Sequence, residues 1–164
     1  MTELEKLMYH LNTADKICDG LNLGDVWSFA RFKEVVAAYY LGHTLSKTLS
    51  GPDAFLPDGR PVEYKSTTGD KVKGAYTGVS VQRTWEEQDK YLEEEKIGKY
   101  AEHYYNRFEG IKLIESWVVP GNVVYELLRP KFEVKYPSVL EKKDPRLSAT
   151  MSTRDIKKYG KRVI

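Results

Sequence analysis

The sequence predicts an α/β fold whose elements, from residue 26 on, run helix, three strands, helix, strand. Three observations predict it. An apolar helical stretch ends at Gly42; short extended segments between residues 52 and 82 are punctuated by Pro57-Asp58-Gly59 and Gly69-Asp70; and a capped, charged helical stretch from Thr84 leads into the apolar run Ile111 to Val119. With 164 residues, 41% of them hydrophobic, the chain is long enough to bury the core of a single domain spanning 1–164.

The N-terminal region, residues 1–24, opens with Thr2 and Glu5 as a capping box. Leu4, Leu7, Met8, Leu11, Ala14 and Cys18 follow at helical spacing, and Gly20 ends the run. Cys18, on the apolar side, is expected to be a buried thiol. As the lone cysteine it cannot staple the chain to itself, which points to an intracellular, cytoplasmic protein. No apolar run approaches the ~20 residues of a membrane span, and the acidic N-terminus lacks a secretory pattern, so no membrane partner is expected.

Asp25 or Ser28 starts the next helix, which runs to Leu41 and carries Trp27, Phe29, Phe32, Val35, Val36, Tyr39 and Tyr40 as a broad apolar surface. Glu34 has the small neighbours Ala30, Ala37 and Ala38, so its face can approach a sheet closely. It reads equally as a solvent-facing acid paired with Arg31 or Lys33. His43, after the helix end, is assigned a packing or capping role.

Residues 52–67 form a β-hairpin around Pro57-Asp58-Gly59, which supplies a proline, a side-chain acceptor and a residue tolerant of left-handed backbone. With Pro57 and Asp58 as a type I turn and Gly59 as the bulge, Leu56 pairs with Arg60, and Asp53 falls opposite Glu63. Facing Cβ atoms are then roughly 5 Å apart. Two carboxylates that close repel each other unless a cation sits between them, and Mg²⁺ is the natural candidate because it takes oxygen ligands and completes its shell with water and phosphate. Strand alternation places Lys65 on the face of Glu63. Metal, water and a cation beside a phosphate are the parts of metal-assisted phosphodiester hydrolysis.

Ala75 to Gln82 alternates as a third strand, with Ala75, Thr77, Val79 and Val81 on one side and Tyr76, Ser80 and Gln82 on the other. Lys71, Lys73 and Arg83 bracket it. Hydroxyl, amide and basic side chains around Gly78 suit contacts to a nucleic-acid groove and its phosphates.

Thr84 and Glu87 cap a helix expected to reach about Arg107, with a break near Gly98. His103 on that helix and His10 on the first lack partners at metal-ligand spacing and are read as structural. Ile111 to Val119 is a strand with Trp117 in the core; Pro120-Gly121-Asn122 reads as a turn and Val123 to Leu128 as its antiparallel partner. Beyond Pro130, Ser138 to Lys143 is a short helix, Asp144-Pro145 a loop, and Ser152 caps a turn ending near Gly160.

Charge is unevenly spread. Residues 1–128 carry 15 basic and 20 acidic side chains, whereas residues 129–164 carry 11 and 4. The basic C-terminal segment, with Lys157, Lys158, Lys161 and Arg162 as its densest cluster, suits a polyanion and equally serves as a solvated tail. A glycine-rich phosphate loop, paired cysteine sites and a nucleophile elbow are all missing from the sequence, which turns the reading away from those chemistries.

At Pro52-Asp53 and Glu63-Tyr64-Lys65, ten residues from acid to acid, the sequence resembles the PD-(D/E)XK nuclease superfamily. Within it the chain is most similar to the small type II restriction endonucleases of the PvuII kind, through Lys73-Gly74 and the closing Lys158-Tyr159-Gly160-Lys161. The resemblance implies a restriction-endonuclease-like αβββαβ core with a central mixed sheet flanked by helices. It implies Asp53 and Glu63 as Mg²⁺ ligands, with Mn²⁺ as a substitute, Lys65 as the residue that orients or activates water, and Glu34 as a third acidic ligand. It also implies double-stranded DNA as substrate and a homodimer built in part through residues 1–24. The DNA contacts expected are Lys71, Lys73, Tyr76, Thr77, Ser80, Gln82, Arg83, Lys157 and Lys158. Residues 71–84 contain no histidine, unlike the enzymes resembled, so no base preference carries over. Two alternatives stand beside this one: a structure-selective nuclease such as a junction resolvase or repair nuclease, and a non-catalytic nucleic-acid-binding protein on the same fold.

Overall fold

In a computed structural model, which describes residues 1–28, 30–48 and 50–164, the chain folds in the order α1 (Glu3–Gly20), α2 (Arg31–Leu41), β1 (Thr44–Leu45), β2 (Ala54–Phe55), β3 (Pro61–Thr67) and β4 (Gly74–Ser80). Then come α3 (Trp85–Tyr91), a π-helical turn (Leu92–Lys96), β5 (Glu102–Glu109), β6 (Lys112–Pro120), α4 (Gly121–Val139), β7 (Arg146–Met151), α5 (Thr153–Tyr159) and β8 (Lys161–Arg162). Among the described residues, six strands form a mixed, mostly antiparallel sheet in the order β1-β2-β3-β5-β6-β8, flanked by helices, and β4 pairs with β7 in a two-stranded ribbon. β3 pairs with β5 in parallel, which sets Glu63 beside His103 and Lys65 beside Tyr105.

Two apolar clusters lie on the two faces of this sheet. On one, α2 brings Ala37 and Ala38 against Val62, Tyr64, Tyr104 and Phe108. On the other, Val124, Leu128, Phe132, Tyr136 and Val139 of α4 pack with Tyr76, Tyr105, Leu147 and Met151. Odd-numbered residues of β3 therefore face the second cluster and even-numbered ones the first. His43 packs as expected: its Nδ1 lies 2.7 Å from the Tyr64 hydroxyl, and its ring meets Tyr104 edge-on.

Several sequence expectations are corrected. The helix from Thr84 ends at Lys96, and residues 102–109 are the central strand β5, so His103 is a buried strand residue. Pro120 is a helix N-cap, and Val123 to Leu128 belong to α4, which continues through Pro130 and Pro137. Each internal proline costs about 3 kcal/mol of helix stability, offset by five buried side chains worth about 1.5–3 kcal/mol apiece. β7 was not anticipated. α2 begins at Arg31, leaving Trp27 stacked on Phe32 outside the helix; Phe29 lies outside the described residues. Trp117 is only partly buried, and so is Cys18, because α1 buries no residue at all. Among the described residues, no helix is long and apolar enough to cross a membrane.

Candidate active site

The β2–β3 hairpin has the register that its turn chemistry predicts. Ala54 pairs with Val62 and Phe55 with Pro61; the Leu56 amide donates to the Arg60 carbonyl at 2.9 Å, and Gly59 adopts φ +85°. The paired register ends at Ala54; Asp53, a bend residue, donates its amide to the Val62 carbonyl at 3.2 Å, and no Asp53–Glu63 pair is formed in the ladder. β2 is only two residues long, so the β3 edge beyond it is open. The Asp53 carboxylate fills the gap, its Oδ2 accepting from the Tyr64 amide at 2.7 Å.

Glu63 and Lys65, two residues apart on β3, form an ion pair of 2.5 Å between Oε1 and Nζ, with side chains only 16% and 22% exposed. Burial, followed by the charges of Glu63 and Glu34, raises the Asp53 carboxyl to about 7, against the opposing effects of the Tyr64 amide and Lys65. Burial and the Glu63 and Asp53 charges likewise push the Tyr100 phenol up. Both shifts have burial as their first cause and the neighbouring carboxylate charges as their second.

Glu63 and Lys65 open onto a cleft of about 160 Å³ lined also by Ala75, Tyr76, Thr77, Val79, Lys96, Ile97 and Tyr100. Of the expected DNA contacts, Tyr76 and Thr77 reach this cleft. Tyr76 does so as a core residue, 6% exposed, and this corrects its assignment to a groove-facing position. The reason is a bulge between Tyr76 and Val79, with Gly78 at φ +67°, which shifts the alternation of β4 by one residue. Thr77 consequently points outward, and Tyr76 and Val79 point in.

The remaining expected contacts are dispersed. Lys71 and Lys73 are exposed on the approach to β4. Ser80 Oγ accepts from Arg146 at 3.1 Å. The Gln82 backbone is engaged by Gln88 and Tyr136, and the exposed Arg83 precedes α3. Lys157 and Lys158 lie on α5, which packs against β6; Lys157 Nζ sits 3.8 Å from Glu115 and above the Trp117 ring.

For Glu34 the structure shows the ion pair of the two readings: Oε2 accepts from Arg31 Nη1 at 3.0 Å, and Arg31 is 1% exposed. Arg31 also donates to the carbonyls of Leu23 and Ser46. Among the described residues, no group of three or more acids, histidines or cysteines is gathered at ligand spacing. The donor set on offer is thus two carboxylates. That set fits Mg²⁺, which typically takes one or two protein carboxylates and fills its octahedron with water and substrate oxygens. The Asp53 carboxyl, raised first by burial and then by the Glu63 charge, fits it too, since a bound cation would favour its ionised form.

Lys96, Tyr100, His103 and Tyr105 are the residues about the cleft that sequence reasoning missed. The segment Lys96-Ile97-Gly98-Lys99-Tyr100 was absorbed into a helix, although Gly98 marked its end. No protein-family model matches the chain, and neither does any curated protein.

Proposed function

We propose that this protein is a divalent-metal-dependent phosphodiesterase acting on nucleic acid. More particularly, we read it as a Mg²⁺-dependent endonuclease of double-stranded DNA, similar to the small type II restriction enzymes and built on their core. The observation that carries the reading is the grouping of Asp53, Glu63 and Lys65 at one end of the hairpin, where the Asp53 carboxylate accepts from the amide next to Glu63 and Glu63 pairs with Lys65.

Asp53 and Glu63 are the groups that would hold the ion, and the Glu34 charge also acts on Asp53. A divalent ion there would supply charge stabilisation at the scissile phosphate and a water of lowered pKa. Lys65, held by Glu63, points its ammonium at the cleft, where it can orient the attacking water and offset phosphate charge. Lys96 and the Thr77 hydroxyl at the cleft wall supply a cation and a hydrogen-bonding group for the phosphates on either side. The basic segment 129–164 adds sequence-independent attraction for the duplex. A homodimer is favoured because α1 presents Leu4, Leu7 and Met8 to solvent, and two sites are needed to cut both strands in one encounter.

Incubating the protein with plasmid DNA and Mg²⁺ or Mn²⁺ tests the reading. Discrete fragments are expected from the wild type and none from Asp53→Asn or Lys65→Ala. Cleavage confined to branched substrates would favour a structure-selective nuclease. DNA binding without cutting in either metal would overturn the catalytic reading.

A further inference from the structure

Behind the Glu63–Lys65 pair lies a run of buried polar groups that the reaction as described does not use. His103, fully buried on β5, has Nε2 3.0 Å from the Ile97 carbonyl and Nδ1 2.8 Å from the Tyr76 hydroxyl, which in turn lies 2.9 Å from the Tyr105 hydroxyl. A carbonyl can only accept, so Nε2 carries the proton. Burial keeps the ring neutral, and Nδ1 is then a bare acceptor. Hydrogens therefore run one way: Tyr105 donates to Tyr76, Tyr76 to His103, and His103 to Ile97. Each of these groups is satisfied, and the orientation of the Tyr76 ring is fixed by both of its neighbours.

That ring is where the Lys65 ammonium rests, with Nζ 4.9 Å from its centroid. β4 comes this close because Gly74 has no side chain: a Cβ there would overlap the Tyr105 ring and lie 3.3 Å from Lys65 Cγ. A lysine stem has four rotatable carbons and no preferred direction of its own. Held between the Glu63 carboxylate and an aromatic face, it has one. The chain that fixes the ring ends at Ile97, directly after the π-helical turn that carries Lys96 to the cleft wall. The network thus reaches from the Lys65 ammonium to the backbone next to Lys96.

We propose that Tyr76 is a positioning residue for Lys65, its ring aiming the ammonium and its hydroxyl, through Tyr105, His103 and Ile97, fixing the ring. The inference rests on the nuclease reading and deepens it. It places the aiming of Lys65 in Tyr76, which lines the cleft, and in Tyr105 and His103 behind it.

Steady-state cleavage of plasmid DNA by Tyr76→Phe and Tyr76→Leu tests it. Tyr76→Leu removes the aromatic face and is expected to lower kcat about tenfold or more with KM for DNA within about twofold. Tyr76→Phe keeps the face and loses the relay, and should recover most of that loss. Overturning results are a Leu variant as active as wild type, equal losses in the two variants, or a loss expressed in KM alone. Should the variants fail to fold, the wild-type NMR spectrum decides. Lys65 ε-methylene protons shifted upfield, with cross-relaxation to the Tyr76 ring, support the proposal; unshifted protons without that contact overturn it. A wild type that cuts nothing in Mg²⁺ or Mn²⁺ fails the nuclease reading itself, and the inference falls with it; a cutting wild type with an indifferent Leu variant fails the inference alone.

Discussion

Asp53 and His103 are shifted in opposite directions by the same cause, and the pH dependence of stability separates them. Asp53 is raised to about 7 by burial and by Glu63 and Glu34, so between about pH 4 and pH 7 the folded chain keeps a proton that the unfolded chain has released. Its contribution to stability is complete below that window and lost as pH rises through it. His103 is lowered to about 3 by burial, so between about pH 3 and pH 6.5 the unfolded chain binds a proton that the folded ring does not. Its contribution is complete above that window and lost on acidification. Asp53→Asn removes only the first effect. In urea denaturation without divalent ions it should be more stable than wild type at pH 8, by up to about 4 kcal/mol, and converge with it below pH 4. Equal stability at pH 8 would mean that Asp53 ionises without cost. At this scale the hairpin was legible because turn chemistry fixes the register from Ala54 to Val62, which brings Asp53 alongside the Glu63–Lys65 segment. Tyr76 was not: a one-residue bulge inverts every assignment around it, and only Gly78 hinted at the slip.

Individual elements were legible where one face is wet and opaque where both are dry. In β5 four consecutive residues, His103, Tyr104, Tyr105 and Asn106, are buried. A strand packed on both faces has no alternation to read, and the well-capped helix before it invited extension. α4 was mistaken for a turn and a strand because Pro120-Gly121-Asn122 and Val123-Val124-Tyr125 carry those local preferences. Its four-residue spacing, Val124, Leu128, Phe132, Tyr136, was the better signal, and tertiary burial overrode propensity. Two glycines test the β4 geometry. Gly78→Val places a β-branched residue at positive φ and should cost about 1–2 kcal/mol in urea denaturation; no loss would mean the bulge can reform elsewhere. Gly74→Ala forces the Tyr105 ring and the Lys65 stem apart, and cleavage should fall more steeply than stability. A variant that loses stability but cleaves normally would contradict the close approach.

For the whole molecule, α1, α2 and the β2–β3 hairpin were readable, while the two-residue β1 and the removal of β4 from the main sheet were not; the latter depends on β5 taking the place beside β3 and on β7 arriving from far downstream. α1 buries none of its residues, and its side-chain tie to the following segment is the Trp27 indole donating to Asp15 at 2.7 Å. Leu7 is 53% exposed and Ile17 57%, on an 18-residue helix with one alanine, and such a helix is marginal alone in water. Sedimentation velocity should therefore find a dimer. Leu4→Glu with Leu11→Glu should give a monomer that retains its sheet by circular dichroism and nicks DNA instead of cutting both strands. A wild type that sediments as a monomer at micromolar concentration would contradict this.

The account rests on Asp53 and Glu63 sharing a divalent cation, and Mn²⁺ titration followed by electron paramagnetic resonance tests that without requiring turnover. At pH 8 the wild type should deplete the free Mn²⁺ signal, Mg²⁺ should restore it, and Asp53→Asn combined with Glu63→Gln should leave it undiminished. Equal depletion by wild type and double variant would place the ion elsewhere and contradict the account.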